Sequence, residues 1–357
     1  MITVGVDAHK KIHVALALDE FGRETNHWHG ANSKSGWDSF QSWYVGLGDE
    51  RRVGIEGAWG YGRGLAQRLV TAGEAVYEVN ARWTAAGRRS ARKSDKTDRL
   101  DAHAVALYLH REGDLLPRLA CEDETAVLDL LATEREAAVG ESTRLRNQIH
   151  ALLLQLDPEY QRTLPAMKSQ SGLAILLSYE TASEQPIDRA RVAAVQRLAQ
   201  RLALTLSQVN ELSEQLRALA APRFTPLTRL CGVNLLTAGV LAGMLGPGHR
   251  FKSDAALAAY AGVAPLEASS AGRVRHRLNR GGNRRLNAVL YRIALTQAHF
   301  SPQARTYLDR RVSEGKTRRE AVRALKRFLI RAIWRLWSEC YPAPPPEKTP
   351  RASCACT

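Results

Sequence analysis

Cysteine is scarce in this chain of 357 residues. Cys121, Cys231, Cys340, Cys354 and Cys356 are odd in number and widely spaced. Such a set excludes a disulfide framework and, with no signal-peptide pattern ahead of it, points to a reducing cytosol. Cys354 and Cys356 form a lone C-x-C pair in a proline-rich tail, without the further ligands that a zinc site needs. No apolar run approaches the ~20 residues of a membrane span, which excludes a helical membrane protein. Acidic charge is also short, with 36 Asp plus Glu against 51 Lys plus Arg. The shortage is local: from Arg250 to Tyr341 there are 20 basic and 6 acidic residues, while the rest of the chain is nearly neutral. One region is therefore electrostatically dedicated to a polyanion, nucleic acid before membrane.

What is present reads as α/β followed by α. Ile2–Asp7, Ile12–Leu18 and Glu24–His29 are β-rich runs joined by short polar turns. Ser33–Leu47, with Trp37, Phe40, Trp43 and Tyr44 at helical spacing, predicts a helix. Arg52–Glu56 then reads as strand, Gly62–Ala72 as helix and Ala75–Val79 as strand. A further helix over Asp98–Arg111 is expected to bury Leu100, Ala104, Leu107 and Tyr108. This order is the one found in ribonuclease-H-like domains, although pattern alone supports only α/β.

Residues 124–156 and 188–220 are polar helical stretches with recurrent leucines, punctuated by Pro158, Pro165 and Pro186. An antiparallel helical hairpin fits, as a linker packed on its own chain or as a dimerisation arm. Beyond Pro222 come Cys231-Gly232-Val233-Asn234 and an apolar helix with Gly239 and Gly243. These glycines suit either backbone N–H contacts to a DNA phosphate or plain helix packing. A glycine-rich segment, Ala261–Asn283, precedes two basic helices expected to end near Cys340, and residues 342–357 read as a disordered tail. The expected divisions are 1–118, 119–222, 223–341 and 342–357.

Four carboxylates stand out by position. Asp7 and Glu56 each end a strand, and Asp98 and Asp101 stand three apart, on one face of a helix. Singly, each has a dull explanation as a cap, a turn residue or a partner of Arg99 or Lys96. Together they can converge at one sheet edge, and only a bound cation makes such proximity favourable. Hard oxygen ligands suit Mg²⁺ or Mn²⁺, and two such ions serve phosphodiester exchange.

Gly5-Val6-Asp7-Ala8-His9-Lys10, Ile55-Glu56-Gly57 and Lys96-Thr97-Asp98-Arg99-Leu100-Asp101-Ala102 resemble the signature of the DEDD-type insertion-sequence transposases. That family includes the pilin-gene invertases and the bridge-RNA-guided recombinases. The resemblance covers residues 1–112 and about 225–300, and K-T-D-x-x-D-A is its most specific piece. It implies a RuvC-like N-terminal domain, with Asp7, Glu56, Asp98 and Asp101 as catalytic metal ligands for Mg²⁺ or Mn²⁺. It leaves Asp95, just outside the motif, as an exposed loop residue.

The second half of the resemblance is the run Tyr260-Ala261-Gly262-Val263-Ala264-Pro265, continued by Leu266-Glu267-Ala268-Ser269-Ser270-Ala271-Gly272. In the family a serine a few residues beyond the A-G-x-x-P run is the nucleophile, and spacing from Pro265 puts that role on Ser270, with Ser269 as competitor. Taken alone, Ser270 is an ordinary loop serine. Arg273, Arg275, Arg277, Arg280, Arg284 and Arg285 come directly after it, and arginine forks suit phosphate oxygens. The resemblance further implies donor and target DNA as partners, a structured guide RNA, and a homo-oligomer (dimer or tetramer) in which two half-sites meet. Its setting would be the bacterial cytoplasm, at the nucleoid when active. Rival readings are a junction-resolving nuclease that uses water, an actin-like ATPase or kinase recruiting the glycine-rich run Gly57–Gly64, and a catalytically dead nucleic-acid binder.

Overall fold

A computed structural model describes residues 1–81, 83–84, 97–248, 250–267, 276–277 and 281–341. Five strands form one sheet: β1 (Ile2–Ala8), β2 (Ile12–Leu18), β3 (Glu24–Ala31), β4 (Arg51–Glu56) and β5 (Val76–Val79), in the order β3-β2-β1-β4-β5. β1 pairs antiparallel with β2 and parallel with β4, and β4 pairs parallel with β5. The two parallel connections are made by helices: α1 (Lys34–Val45), capped by Ser33, precedes β4, and α2 (Arg63–Thr71) precedes β5. Phe40 and Tyr44 of α1, Leu65 and Leu69 of α2, and Val4, Val6, Val53 and Ile55 of the strands make the core on one face of the sheet.

The helix α3 (Asp98–Glu112) covers the other face. Thr97 caps it, its side chain accepting from the Leu100 N–H, so Asp98 stands in the first turn and is not the cap. It buries Asp101, Ala102, Val105, Ala106 and Leu109, whereas Leu100 is exposed. The expected face of Leu100, Ala104, Leu107 and Tyr108 is thus turned outward by roughly one residue. The cause is a close approach: a Cβ on Gly5 would lie 2.2 Å from Ala106 N and 2.3 Å from Ala102 O. Only glycine lets the small Ala102–Ala106 stripe of α3 sit directly on β1.

The hairpin is formed by α4 (Glu124–Leu156) and α6 (Pro186–Phe224), with the short α5 (Gln170–Leu177) at its far end. Contacts from Arg191 to Gln155, Arg201 to Glu141, Arg135 to Ser213 and Arg223 to Glu124 run in opposite sequence directions, so the two helices are antiparallel. Pro222 lies inside α6 and does not end it. Leu145, Ile149, Leu153, Tyr160, Leu176, Val195 and Leu202 form a core of their own at the far end. At the near end Leu128, Ala132, Leu216 and Ala220 join the core of the C-terminal helices.

Those helices are α7 (Leu235–Leu245), α8 (Asp254–Tyr260), α9 (Arg284–Phe300), α10 (Pro302–Ser313) and α11 (Arg318–Glu339). Three helices therefore come after the glycine-rich segment, where two were expected, because Ser301 caps a new helix that has Pro302 in its first turn. The helix glycines serve packing. A Cβ at Gly243 would lie 2.6 Å from Asp129 N, and one at Gly239 would lie 3.1 Å from Leu216 O.

Candidate metal centre and nucleic-acid interface

The register of the sheet brings the first two acids side by side. Asp7 and Glu56 are directly paired positions of the parallel strands β1 and β4. The seating of α3 against Gly5 places Asp98 and Asp101 over the same edge. Asp7 is 5% exposed and Asp101 4%, while Asp98 and Glu56 are half-buried. Burial pushes the Asp7 carboxyl up to about 6 from 3.8; His9 pulls it down, and Glu56, Asp101 and Asp98 each add to the rise. Asp7 is thus within electrostatic reach of each of the other three sequence-predicted acids.

A fifth group belongs there that the motif reading did not single out. His9 Nε2 lies 3.1 Å from Asp7 Oδ2 and 3.4 Å from Asp98 Oδ1. Neither approach has the alignment of a hydrogen bond, so Asp7 Oδ2 and His9 Nε2 are buried polar atoms with no hydrogen-bond partner among the described residues. Asp7, His9 and Asp98 each offer a ligand atom within 4.8 Å of the others. Buried polar atoms that face one another unbonded cost free energy unless a cation satisfies them. Carboxylate oxygens with an imidazole nitrogen fit a divalent metal ion. The legible signal was the D-x-H spacing, since residues two apart at a strand end point the same way.

Glu56 is itself oriented. The Thr84 hydroxyl, 2% exposed, lies 3.0 Å from Glu56 Oε2 and donates to it. The adjoining Trp83 stacks on Tyr108 of α3 and donates its indole N–H to Gly281 O at 3.2 Å. This short segment after β5 thus ties the carboxylate edge to the loop that leads into α9.

A second tie is the buried Arg250, 4% exposed. Its guanidinium donates to Glu78 Oε2 on β5 at 2.5 Å, to the carbonyls of Met244 and Leu245 at 3.1 Å, and to the Tyr260 hydroxyl at 3.2 Å. Burial disfavours this charge, but the Tyr260 and Glu78 oxygens outweigh it and hold its pKa above the ordinary value.

Of the six arginines proposed for phosphate, Arg284 is exposed and Arg285 is occupied, bridging Asp129 at 3.1 Å and Glu136 at 2.9 Å on α4. Arg277 belongs to β7 (His276–Arg277), which pairs with β6 (Leu266–Glu267). Arg273, Arg275, Arg280, Ser269, Ser270, Asp95 and Lys96 lie outside the described residues. Arg292, Arg305, Arg319 and Arg335 are exposed and form no ion pair among the described residues, so they offer further positive surface. Lys326 is different: it is 6% exposed, donates to Asn287 Oδ1 at 2.7 Å, and burial lowers its pKa. No helix among the described residues is long and apolar enough to cross a membrane.

Residues 4–158 match the DEDD transposase model of the IS110 group, and residues 225–309 match that of the transposase IS116/IS110/IS902 family. The two matches define an enzyme that acts on DNA in transposition. A 43.6 kDa protein of insertion element IS110 from Streptomyces coelicolor is 31% identical over 67% of this chain and 70% of its own length. The chain belongs to the IS110 family of DEDD-type transposases. A 42 kDa protein of insertion element IS900 from Mycobacterium paratuberculosis is 26% identical over 93% of this chain and 94% of its own. The transposase of IS1328 from Yersinia enterocolitica is 28% identical over 51% and 52%. Among solved structures, Thermus thermophilus RuvC in complex with a Holliday junction substrate aligns at 14% identity with a TM-score of 0.27, covering 33% of this chain and 99% of that one.

Proposed function

We propose that this transposase cuts and rejoins DNA at a site where Asp7, Glu56, Asp98 and Asp101 hold Mg²⁺ or Mn²⁺ and Ser270 is the nucleophile. The observation that carries the metal reading is the burial of Asp7 against three other carboxylates and His9. The strand order β3-β2-β1-β4-β5, with acids at the paired ends of β1 and β4, supports a RuvC-like, ribonuclease-H-like reading of residues 1–118. The separate far-end core of the hairpin supports treating residues 119–222 as an arm and 223–341 as the serine-bearing portion.

A bound divalent ion would neutralise charge at the scissile phosphate and on the departing oxygen. The chain's own residues do the rest. Thr84 orients Glu56, and His9 lies between Asp7 and Asp98. The Ser270 oxygen forms an O–P bond as the bond from phosphorus to the departing strand oxygen breaks, and the serine proton ends on that departing oxygen as a hydroxyl. Attack by the incoming strand's hydroxyl reverses the exchange and frees the serine, so bond energy is conserved without an external donor. Arg273, Arg275, Arg277, Arg280, Arg284 and Arg285 are proposed to hold phosphates, with Arg285 also braced on α4. A structured RNA is proposed to choose donor and target, and an oligomer to bring carboxylate and serine halves together.

The test separates cleavage from covalency. Asp→Asn or Glu→Gln at each carboxylate, or EDTA, should abolish strand breakage on supercoiled donor DNA supplied with the element's RNA, and Mg²⁺ should restore the wild type. Ser270→Ala should lose the denaturation-resistant protein–DNA adduct yet keep DNA binding, while Ser269→Ala keeps the adduct. Loss in Ser269→Ala alone would move the nucleophile one residue earlier. Cleavage unaffected by either change would favour a water-using nuclease.

A further inference from the structure

The glycine-rich run after Glu56 builds a turn with two aromatic rings on it. Gly57 has φ +70°, and its carbonyl accepts from the N–H groups of Gly60 at 2.8 Å and Gly62 at 3.1 Å. A Cβ on Gly62 would lie 2.6 Å from Ile55 Cγ2 and 3.2 Å from Ala8 Cβ. The turn is therefore seated on the ends of β4 and β1, one residue from each of Glu56 and Asp7. From this seat it presents Trp59, 37% exposed, and Tyr61, 58% exposed. Trp59 is fixed, donating its indole N–H to Glu78 Oε2 at 3.1 Å with the Arg250 guanidinium 5.5 Å from the ring centroid.

The same turn is fastened to the metal centre. Asn32 Nδ2 donates to Tyr61 O at 3.1 Å and approaches the carbonyls of His9 and Lys10 at 3.4 Å. Lys10 and Lys11 are exposed there and have no ion pair among the described residues. Single exposed apolar side chains are ordinary. Two rings on a rigid glycine turn, beside free cations and a carboxylate site, are the combination that binds unpaired nucleic acid: rings stack on bases while cations meet phosphates.

We propose that Trp59 and Tyr61 form a stacking platform for an unpaired base of the DNA strand being cut, so that the enzyme engages a duplex locally opened beside the phosphodiester it breaks. This rests on the reading of Asp7, Glu56, Asp98 and Asp101 as the DNA-cutting site. DNA is favoured over RNA because the platform adjoins those carboxylates.

The test is a binding measurement in EDTA, independent of cleavage. Its probes are a forked DNA of arbitrary sequence carrying 2-aminopurine in the unpaired arm, the fully paired duplex, and a single-stranded RNA of the same sequence. The wild type should bind the fork more tightly than the duplex and quench its fluorescence. Tyr61→Ala and Trp59→Ala should each weaken fork binding about tenfold and lose the quench, with duplex affinity held within about twofold. Tyr61→Phe, which keeps the ring, should keep both properties. Melting temperatures identify any variant that fails to fold, and Tyr61, with its exposed ring, is the decisive position. Equal loss on fork and duplex, no loss in Tyr61→Ala, or an effect seen only with RNA would overturn the proposal. Failure of the underlying metal reading would show separately, as cleavage that survives carboxylate substitution.

Discussion

The two charged regions of this molecule are built on opposite rules. At the sheet edge, like charges are gathered: burial raises Asp7 to about 6, and Glu56, Asp101 and Asp98 each add to that rise. Among the C-terminal helices, unlike charges are paired. Asp254 takes Arg327 at 3.1 Å and Arg331 at 3.2 Å, Asp309 takes Arg318, Glu314 takes Arg310 and Arg311, Glu320 takes Arg323, and Glu339 takes Arg229. Most of these are exposed pairs, worth about 0–1 kcal/mol each. The lesson is about inference from charge. A local surplus of arginine is partly consumed by the fold's own ion pairs, whereas gathered like charges cost stability and so point to a ligand.

The largest effect that would break this comparison is at Arg250, the buried member of the pairing region. Arg250→Met should destabilise the protein by about 3–5 kcal/mol, because Glu78, largely shielded from solvent, is left without its cationic partner. Adding Glu78→Gln should recover part of that loss, read as a double-mutant cycle in urea unfolding. Strict additivity would mean that the two groups are not coupled.

Next in size is Gly5→Ala. The new methyl would overlap the backbone of α3, which must shift off β1, at a cost of about 1–3 kcal/mol. Since that seating positions Asp98 and Asp101, metal affinity should fall as well. A variant that melts lower but binds Mn²⁺ as before would show that the helix acids are positioned otherwise.

Much of this was legible in the sequence, and the parts that were not share a cause. The strand runs, the 124–156 helix and the four acids come from local pattern: alternation, leucine spacing and strand-end position. The face of α3 was misjudged because both sides of that helix are half apolar, and Gly5, more than ninety positions away, decides which side lies down. Arg250 read as one more basic residue for the same reason, since Glu78 and Tyr260 meet it only through tertiary packing. Lys326, another of the 20 basic residues counted between Arg250 and Tyr341, is likewise buried against Asn287. His9 lay within reach of sequence reasoning, two residues beyond Asp7.

A smaller effect sharpens the contrast. Because Asp7 is raised from 3.8 to about 6 in the folded protein, it contributes stability below about pH 4 that is lost as pH rises through about 6. Above that range, in EDTA, Asp7→Asn should therefore melt higher than wild type, by about 2–4 °C, and show a flatter pH dependence. The smallest effect belongs to the exposed pairs: Arg318→Ala should move the melting temperature by about 2 °C or less.

The most direct test of the central claim, that gathered carboxylates mark one metal site, is an electron paramagnetic resonance titration with Mn²⁺. Wild-type protein should bind the ion and release it to Mg²⁺. Asp7→Asn should bind at least about tenfold more weakly, a loss expected when a charged ligand to a hard cation is neutralised. Glu56→Gln, Asp98→Asn and Asp101→Asn should each weaken the same binding step. Unchanged Mn²⁺ affinity in Asp7→Asn would contradict the account.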